Sequence, residues 1–127
     1  MGTEFAIVRV VTYRLQFNCD RNPSLCHPVG KDVFDDWLTE LADARAQAKI
    51  ATRINRFAAG NFGDCKSLRQ GLYELRVDWG PGYRVYYAMI GKVCVLLLCG
   101  GDKRKQAADI ERALEYLRDY KERRGNS

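Results

Sequence analysis

The chain has 127 residues, a length that fits one domain, residues 1–127, with a modest core. Its net charge of +5 and pI near 9.0 favour an anionic partner, whether nucleic acid, an acidic protein or a membrane surface. Arg9 and Arg14 interrupt the N-terminal apolar run, which argues against a signal peptide, and no apolar stretch approaches the roughly 20 residues that span a bilayer. We therefore expect a cytoplasmic protein that does not enter the membrane.

The cysteines do not indicate a metal site, because no pair has the Cys-x-x-Cys spacing that zinc sites use. Cys94 and Cys99 lie in an apolar strand and are predicted to be small buried residues, and free thiols suit a reducing cytosol. Cys19, Cys26 and His27 form a minor alternative as a shared metal site. His27 is the sole histidine, so a ribonuclease that uses a histidine pair is excluded.

The N-terminal part combines a strand with a loop. Phe5 to Phe17 is rich in Val, Ile, Tyr and Phe, which predicts a strand. Asn18 to Gly30 contains Asn-Pro and His-Pro pairs and is predicted to be a loop.

Two helices are predicted next, joined closely enough to form an antiparallel hairpin. Asp32 is the expected N-cap of the first, which ends near Ala42, and Asp43 caps the second, which ends near Ala59. Apolar residues recur at helical spacing in both, namely Phe34, Trp37, Leu38 and Leu41, then Ala46, Ile50, Ile54, Phe57 and Ala58.

A small antiparallel sheet follows, and the fold class is therefore α+β. Cys65–Arg69 and Leu72–Trp79 are predicted strands, and Val93–Cys99 is apolar on both faces, as expected of a central strand. A last helix is predicted over Ala107–Tyr120, with residues 121–127 as a solvated tail. Eight residues are expected to be buried: Trp37, Leu41, Ile54, Phe57, Leu75, Val85, Leu97 and Leu114.

The turns predict the register of the strands. If Gly80-Pro81-Gly82 closes a hairpin, Trp79 pairs with Tyr83, so that Asp78 opposes Arg84 and Arg76 opposes Tyr86. A two-residue turn at Gly91-Lys92 would then place Arg84 opposite Cys99.

This register gathers positive charge on one polar face of the sheet. Arg76 and Arg84 lie diagonally on that face beside Tyr86, close to the strand end that leads into Gly100, Gly101 and three cations. Clustered like charges are costly without an anion, so the cluster indicates phosphate binding, helped by glycines that allow close backbone approach and by the following helix N-terminus. The alternative is a solvated basic face with Asp78–Arg84 and Glu74–Arg76 ion pairs. Tyr73, Tyr83 and Tyr87 are expected in the core instead.

Residues Val33 to Leu117 resemble the RelE/ParE superfamily of bacterial toxins, most closely its HigB-like addiction module killer branch. The motifs that carry this resemblance are Val33–Leu38, Arg53-Ile54, Ala59–Asn61, Leu72–Arg76, Gly80–Tyr87 and Leu97–Lys103. Residues 1–31 match the family poorly, because its first strand normally leads almost directly into the first helix.

The resemblance implies a toxin that cleaves mRNA, usually on the ribosome, without a metal or other cofactor, and that a cognate antitoxin neutralises. A HigA-like helix-turn-helix protein is the expected antitoxin. The resemblance implies catalytic roles at four positions: Arg84, Arg76, Lys103 and Glu74. Further contacts with RNA are expected from Lys66, Arg69, Tyr86, Arg104 and Lys105.

Two positions depart from the family pattern. Glu74 replaces a lysine that is frequent in relatives that cut mRNA, and it acts either as a base or as a partner of Arg76. No tyrosine occurs near Asp109, where some relatives have a catalytic one. Two other functions share the fold and stay open: a ParE-type inhibitor of gyrase and an inactive nucleic-acid-binding module.

Overall fold

The computed structural model describes residues 9–12, 14–15, 31–61, 63–91 and 94–125. The strands are β1 (Arg9–Thr12), β2 (Arg14–Leu15), β3 (Lys31–Asp32), β4 (Cys65–Ser67), β5 (Leu72–Val77), β6 (Tyr83–Ile90) and β7 (Cys94–Asp102). The helices are α1 (Val33–Thr39), α2 (Ala44–Ala58) and α3 (Gln106–Gly125), and a 3-10 turn over Lys103–Lys105 joins β7 to α3. Among these helices, none is long and apolar enough to cross a membrane.

Both predicted aspartate caps are present at the N-termini of the helical hairpin. The Asp32 Oδ1 atom accepts a hydrogen bond from the Asp35 amide at 2.9 Å, and Asp43 accepts from Arg45 at 2.9 Å. The helix α3 continues to Gly125, five residues beyond the predicted end at Tyr120.

Five strands form the main sheet in the order β1-β7-β6-β5-β4. The four strands from β4 to β7 are antiparallel, which confirms the predicted α+β class, and β1 adds a parallel edge beside β7. The wholly apolar strand β7 is central, as predicted, because it lies between β1 and β6. Strands β2 and β3 form a separate antiparallel pair.

Each face of the sheet is covered by helices. One face packs against α1 and α2 through Phe34, Ile50, Phe57, Leu75, Val77, Val85, Tyr87, Val95 and Leu97. The opposite face packs against α3 through Leu72, Tyr86, Ala88, Leu96, Leu98, Cys99, Ala113, Leu114 and Leu117. Five of the eight residues expected to be buried are so, and the other three, Trp37, Leu41 and Ile54, are half-buried against the first core.

The predicted register was wrong in both hairpins. Arg76 lies directly opposite Arg84, and Val77 opposite Tyr83, so the loop between β5 and β6 is two residues longer at its N-terminal side than the glycines suggest. The second hairpin pairs Ile90 with Cys94, one residue beyond a two-residue turn, and the register shifts by one more residue between Tyr86 and Tyr87, so Arg84 lies opposite Gly101 instead of Cys99. An irregularity of this kind changes the pairing without a turn residue to signal it.

Candidate phosphate-binding site

Two arginines form a cross-strand pair at the end of the β5–β6 hairpin. Arg76 and Arg84 are direct neighbours on the same face, an arrangement that is unfavourable between like charges unless an anion lies with them. Glu74 supplies that anion from two residues earlier in β5. Its Oε1 atom lies 3.4 Å from Arg76 Nε and its Oε2 atom lies 3.2 Å from Arg84 Nε.

The Glu74 carboxylate is fully buried under α3. Its Oε2 atom also accepts a hydrogen bond of 2.7 Å from Gln106 Nε2 at the start of that helix. A buried carboxylate is tolerated only when its oxygens are paired and hydrogen-bonded. Arg76 Nε and Gln106 Nε2 donate a hydrogen bond to one oxygen each, and Arg84 adds an ion pair without a hydrogen bond. Of the two roles considered for Glu74, the structure therefore shows the pairing role, which extends from Arg76 to Arg84.

The two arginines differ in their access to solvent. The Arg84 side chain is 13% exposed and the Arg76 side chain is 41% exposed. Both line an open cleft of about 400 Å³ at the end of the sheet, and Lys103 lines its far side. The Lys103 amide donates a hydrogen bond of 2.9 Å to the Gly82 carbonyl, which ties the hairpin loop to the end of β7.

Carboxylates also belong to the wall of this arginine cleft, where Asp64 and Asp78 join the three cations. The Asp64 carbonyl accepts a hydrogen bond of 3.1 Å from the Arg76 amide, which fixes the segment before β4 against β5. The residues that line the cleft therefore carry one more positive than negative charge, and the buried Glu74 carboxylate, which contacts both guanidinium groups, offsets that excess.

Tyr86 does not lie on an open face. It is fully buried in the core under α3, opposite Glu74 in the register, so the expectation of an exposed ring beside the arginines was wrong. Burial raises the pKa of the Tyr86 hydroxyl far above its ordinary value, and the Glu74 charge adds to this effect. The physical reason is that the apolar stripe of α3 covers this face, leaving only its end accessible.

The other predicted RNA contacts lie outside the arginine cleft. Lys66 is exposed on the edge strand β4, opposite Glu74 in the register, and Arg69 forms an ion pair with Glu111 of α3. Arg104 contacts Asp102 Oδ2 at 2.9 Å, and this hydrogen bond lowers the pKa of Asp102. Lys105 is exposed in the 3-10 turn. Lys103 is the only predicted cation after β7 that lines the arginine cleft.

Gly100 and Gly101 serve packing, in contrast to the predicted approach of a phosphate. A Cβ atom at Gly100 would lie 2.4 Å from the Trp37 ring, and one at Gly101 would lie 1.9 Å from Asp109 Oδ2. The two glycines therefore let side chains from α1 and α3 reach the backbone of β7 on opposite faces.

Asp109 is a second buried carboxylate under α3, and it is 2% exposed. Its Oδ1 atom accepts a hydrogen bond of 2.5 Å from Arg112 Nη2, whereas Oδ2 has no partner among the described residues. Burial raises the pKa of this carboxyl, and Arg112 opposes that rise.

Cys99 is buried as predicted, and burial raises the pKa of its thiol to about 12, while Cys94 is half-buried. Cys19, Cys26 and His27 lie outside the described residues. Within those residues, no three His, Cys, Asp or Glu side chains are grouped as a metal site.

The sequence analysis did not predict that Gln106 and Asp109 would contribute to the buried polar contacts beneath α3. Both occupy the first turn of α3, and each reaches a buried polar position on the sheet. One sequence signal could have indicated them: Val93–Cys99 is apolar on both faces. A strand of this kind needs a helix on each side of the sheet, and polar groups beneath such a helix are buried.

More than half of the chain is similar to known sequences. The model of the family described as Phage derived protein Gp49-like (DUF891) matches residues 36–118, which is more than half of the chain. An "Uncharacterized protein" of Haemophilus influenzae (strain ATCC 51907 / DSM 11121 / KW20 / Rd) is 55% identical over 81 residues, which cover 64% of this chain and 82% of the relative. The segment that matches the family, residues 36–118, runs from α1 into α3 and contains every residue that lines the arginine cleft.

Proposed function

We propose that this chain, which belongs to the Gp49-like family of phage-derived, RelE-like toxin proteins, is an mRNA endonuclease toxin of a type II toxin–antitoxin system. Within that family we assign it to the HigB-like branch and expect it to act on mRNA at the ribosome. One observation carries the proposal: the arginine cleft presents Arg76, Arg84 and Lys103 together at a rigid sheet end.

The reaction that suits such a cleft is in-line attack by a ribose 2′-hydroxyl on the adjacent phosphate. The O2′–P bond forms as the P–O5′ bond breaks, leaving a 2′,3′-cyclic phosphate and a 5′-hydroxyl end, with the proton of the 2′-hydroxyl released and one taken up at O5′. Negative charge accumulates on the phosphorane oxygens during this step. Preorganised cations placed where charge develops lower the barrier, and this is the role we give to the three residues.

Arg84 is the central catalytic residue in this proposal. Its contact with the buried Glu74 fixes the guanidinium at the wall of the arginine cleft, and a planar fork can hold two phosphate oxygens at once. Arg76 and Lys103 add charge from either side. Glu74 is a positioning residue, because its carboxylate is buried and does not line the cleft.

Toxins of this class require an antitoxin, and a basic cleft favours an acidic or amphipathic segment as its cover. We propose a HigA-like helix-turn-helix protein in this role. Co-expression with the product of the neighbouring gene is expected to restore growth and to yield a stable complex. If no neighbouring product binds, the toxin–antitoxin assignment fails.

The function is tested by inducible expression in bacteria, followed by mapping of RNA ends. We expect growth arrest together with new mRNA 5′ ends, and neither effect from Arg84→Ala expressed at the same level. Arrest with intact mRNA and blocked supercoiling would instead identify a gyrase inhibitor. Salt-sensitive RNA binding without arrest would identify an inactive binding module.

A further inference from the structure

A second basic depression lies beside the arginine cleft. This α2 groove has a volume of about 430 Å³ and runs between α2 and the end of β5. Lys49, Arg53 and Arg56 line it, and at spacings of four and three residues they lie on one face of the helix. Thr52 adds a hydroxyl between them.

Contacts within the protein hold two of these cations in place. The Lys49 ammonium lies 4.6 Å from the centroid of the Trp79 ring, and Trp79 Nε1 donates a hydrogen bond of 3.1 Å to Asp43 Oδ2. Arg53 Nη1 donates one of 2.6 Å to the carbonyl of Arg76. Groups that are already ordered lose less entropy when a ligand binds.

The α2 groove and the arginine cleft are adjacent and share two lining residues. Val77 and Asp78, at the end of β5, line both depressions. The two depressions lie on either side of this strand end. Together the two linings hold six cations, three from each depression, against two carboxylates, Asp64 and Asp78. This surface therefore forms one positively charged path around the sheet end, longer than a single phosphate requires.

The lining of the α2 groove favours nucleic acid over a protein segment. Its apolar residues are limited to Ala48 and Val77, and Val77 is only 4% exposed. Protein partners obtain most of their binding energy from aromatic or aliphatic anchors in apolar pockets, whereas five of the seven side chains that line this groove are polar or charged. A phosphate backbone needs only regularly spaced cations.

We propose that the α2 groove binds phosphates of the same single-stranded RNA whose scissile phosphate occupies the arginine cleft. The inference rests on the proposed function and extends it, because it makes RNA length a determinant of binding. Lys49 and Arg56 are the residues to test, since Arg53 also supports the backbone of β5.

The experiment measures binding of 2′-O-methyl RNA oligonucleotides of 4 and 12 nucleotides, which lack the nucleophilic hydroxyl, at several salt concentrations. The variant Lys49→Gln/Arg56→Gln keeps much of each side-chain stem, and its fold is checked by its thermal unfolding midpoint. The matched control is Arg118→Gln/Lys121→Gln, which removes two exposed cations from α3.

We expect the groove variant to bind the 12-mer at least tenfold more weakly than the unmodified chain does. Its slope of log affinity against log salt should be smaller by about 1.4, or 0.7 for each of two phosphate contacts on a single strand. Binding of the 4-mer should change less than twofold, and the control should leave both oligonucleotides unaffected.

Unchanged 12-mer binding, or an equal loss for both lengths, would overturn the inference while leaving the proposed function standing. Binding of polyglutamate that depends on Lys49 and Arg56, with 12-mer binding intact, would overturn it in favour of an acidic protein. Absence of RNA binding by the unmodified chain at either length would overturn the inference, whereas the proposed function would be overturned by intact mRNA in cells that express the chain.

Discussion

Glu74 illustrates how one buried group organises several exposed ones. Its carboxylate contacts Arg76 and Arg84 and accepts a hydrogen bond from Gln106 while remaining fully buried. From the sequence, the choice between a base and a partner of Arg76 stayed open, because burial depends on where α3 lies. A charged residue in an alternating strand signals a polar face, but it does not reveal whether a helix covers that face.

Substitution of Glu74 is expected to affect both stability and cleavage. Glu74→Gln leaves two neighbouring guanidinium groups without their shared anion, and removal of one partner from a buried pair costs about 3 kcal/mol. Urea unfolding should show this loss, and RNA cleavage by the remaining folded protein should fall because Arg84 is no longer fixed. Full stability in Glu74→Gln would mean that the carboxylate does not organise the arginines.

Asp109 gives a pH-dependent prediction whose sign follows from burial. Its pKa is raised in the folded state, so the folded chain binds more protons than the unfolded one as pH rises above the ordinary value of 3.8. Stability contributed by this site is therefore lost with rising pH. Asp109→Asn should gain stability relative to the unmodified chain as pH rises above 3.8, measured by urea unfolding at each pH. A difference that is independent of pH would contradict the raised pKa.

At the scale of elements, the sequence predicted what local rules determine. Asp32 and Asp43 cap their helices, the apolar strand β7 is central, and the α+β class is confirmed. The register was mispredicted, because Gly80-Pro81-Gly82 shows that a turn exists but does not fix the length of its loop. Pairing in β5 and β6 depends on both cores, and these form only when the helices have packed.

The close contact between α3 and β7 can be tested through Gly101. Gly101→Ala would place its Cβ atom 1.9 Å from Asp109 Oδ2 and 2.8 Å from its Cγ, so the first turn of α3 must move and stability should fall by about 2 kcal/mol. The double variant Gly101→Ala/Asp109→Ala removes the clashing atoms. Its loss should be smaller than the sum of the two single losses. Additive losses would show that the clash is relieved elsewhere.

For the whole molecule, the net charge of +5 pointed to an anionic partner but not to its location. The sequence identified Arg76, Arg84 and Lys103, which line one cleft, but it also grouped with them Tyr86, which is buried. The difference depends on where α3 packs, because this helix covers Tyr86 and leaves the sheet end with the three cations open. The α2 groove was not anticipated, because its cations follow ordinary helical spacing and gain significance only from their position beside β5.

Lys103 provides a test of RNA binding by the molecule as a whole. Lys103→Ala should reduce the slope of log affinity against log salt by about 0.7 on single-stranded RNA, because one phosphate contact is lost. Arg118→Ala, on the exposed face of α3, is the matched control and should leave the slope unchanged. An unchanged slope in Lys103→Ala would place the RNA elsewhere on the surface.

The most direct test of the central claim is cleavage of mRNA on translating ribosomes by the purified chain and its Arg84 variants. Arg84→Ala should lower the rate by about 10²–10³-fold, the cost of losing one preorganised donor to the transition state, and Arg84→Lys should recover only part of it. Because Arg84→Ala also leaves Glu74 with one fewer partner, rates are compared at a temperature where unfolding shows every variant to be folded. The account predicts products ending in 2′,3′-cyclic phosphate, with Arg118→Ala as active as the unmodified chain. Full cleavage by folded Arg84→Ala, or no cleavage by the unmodified chain, would contradict it.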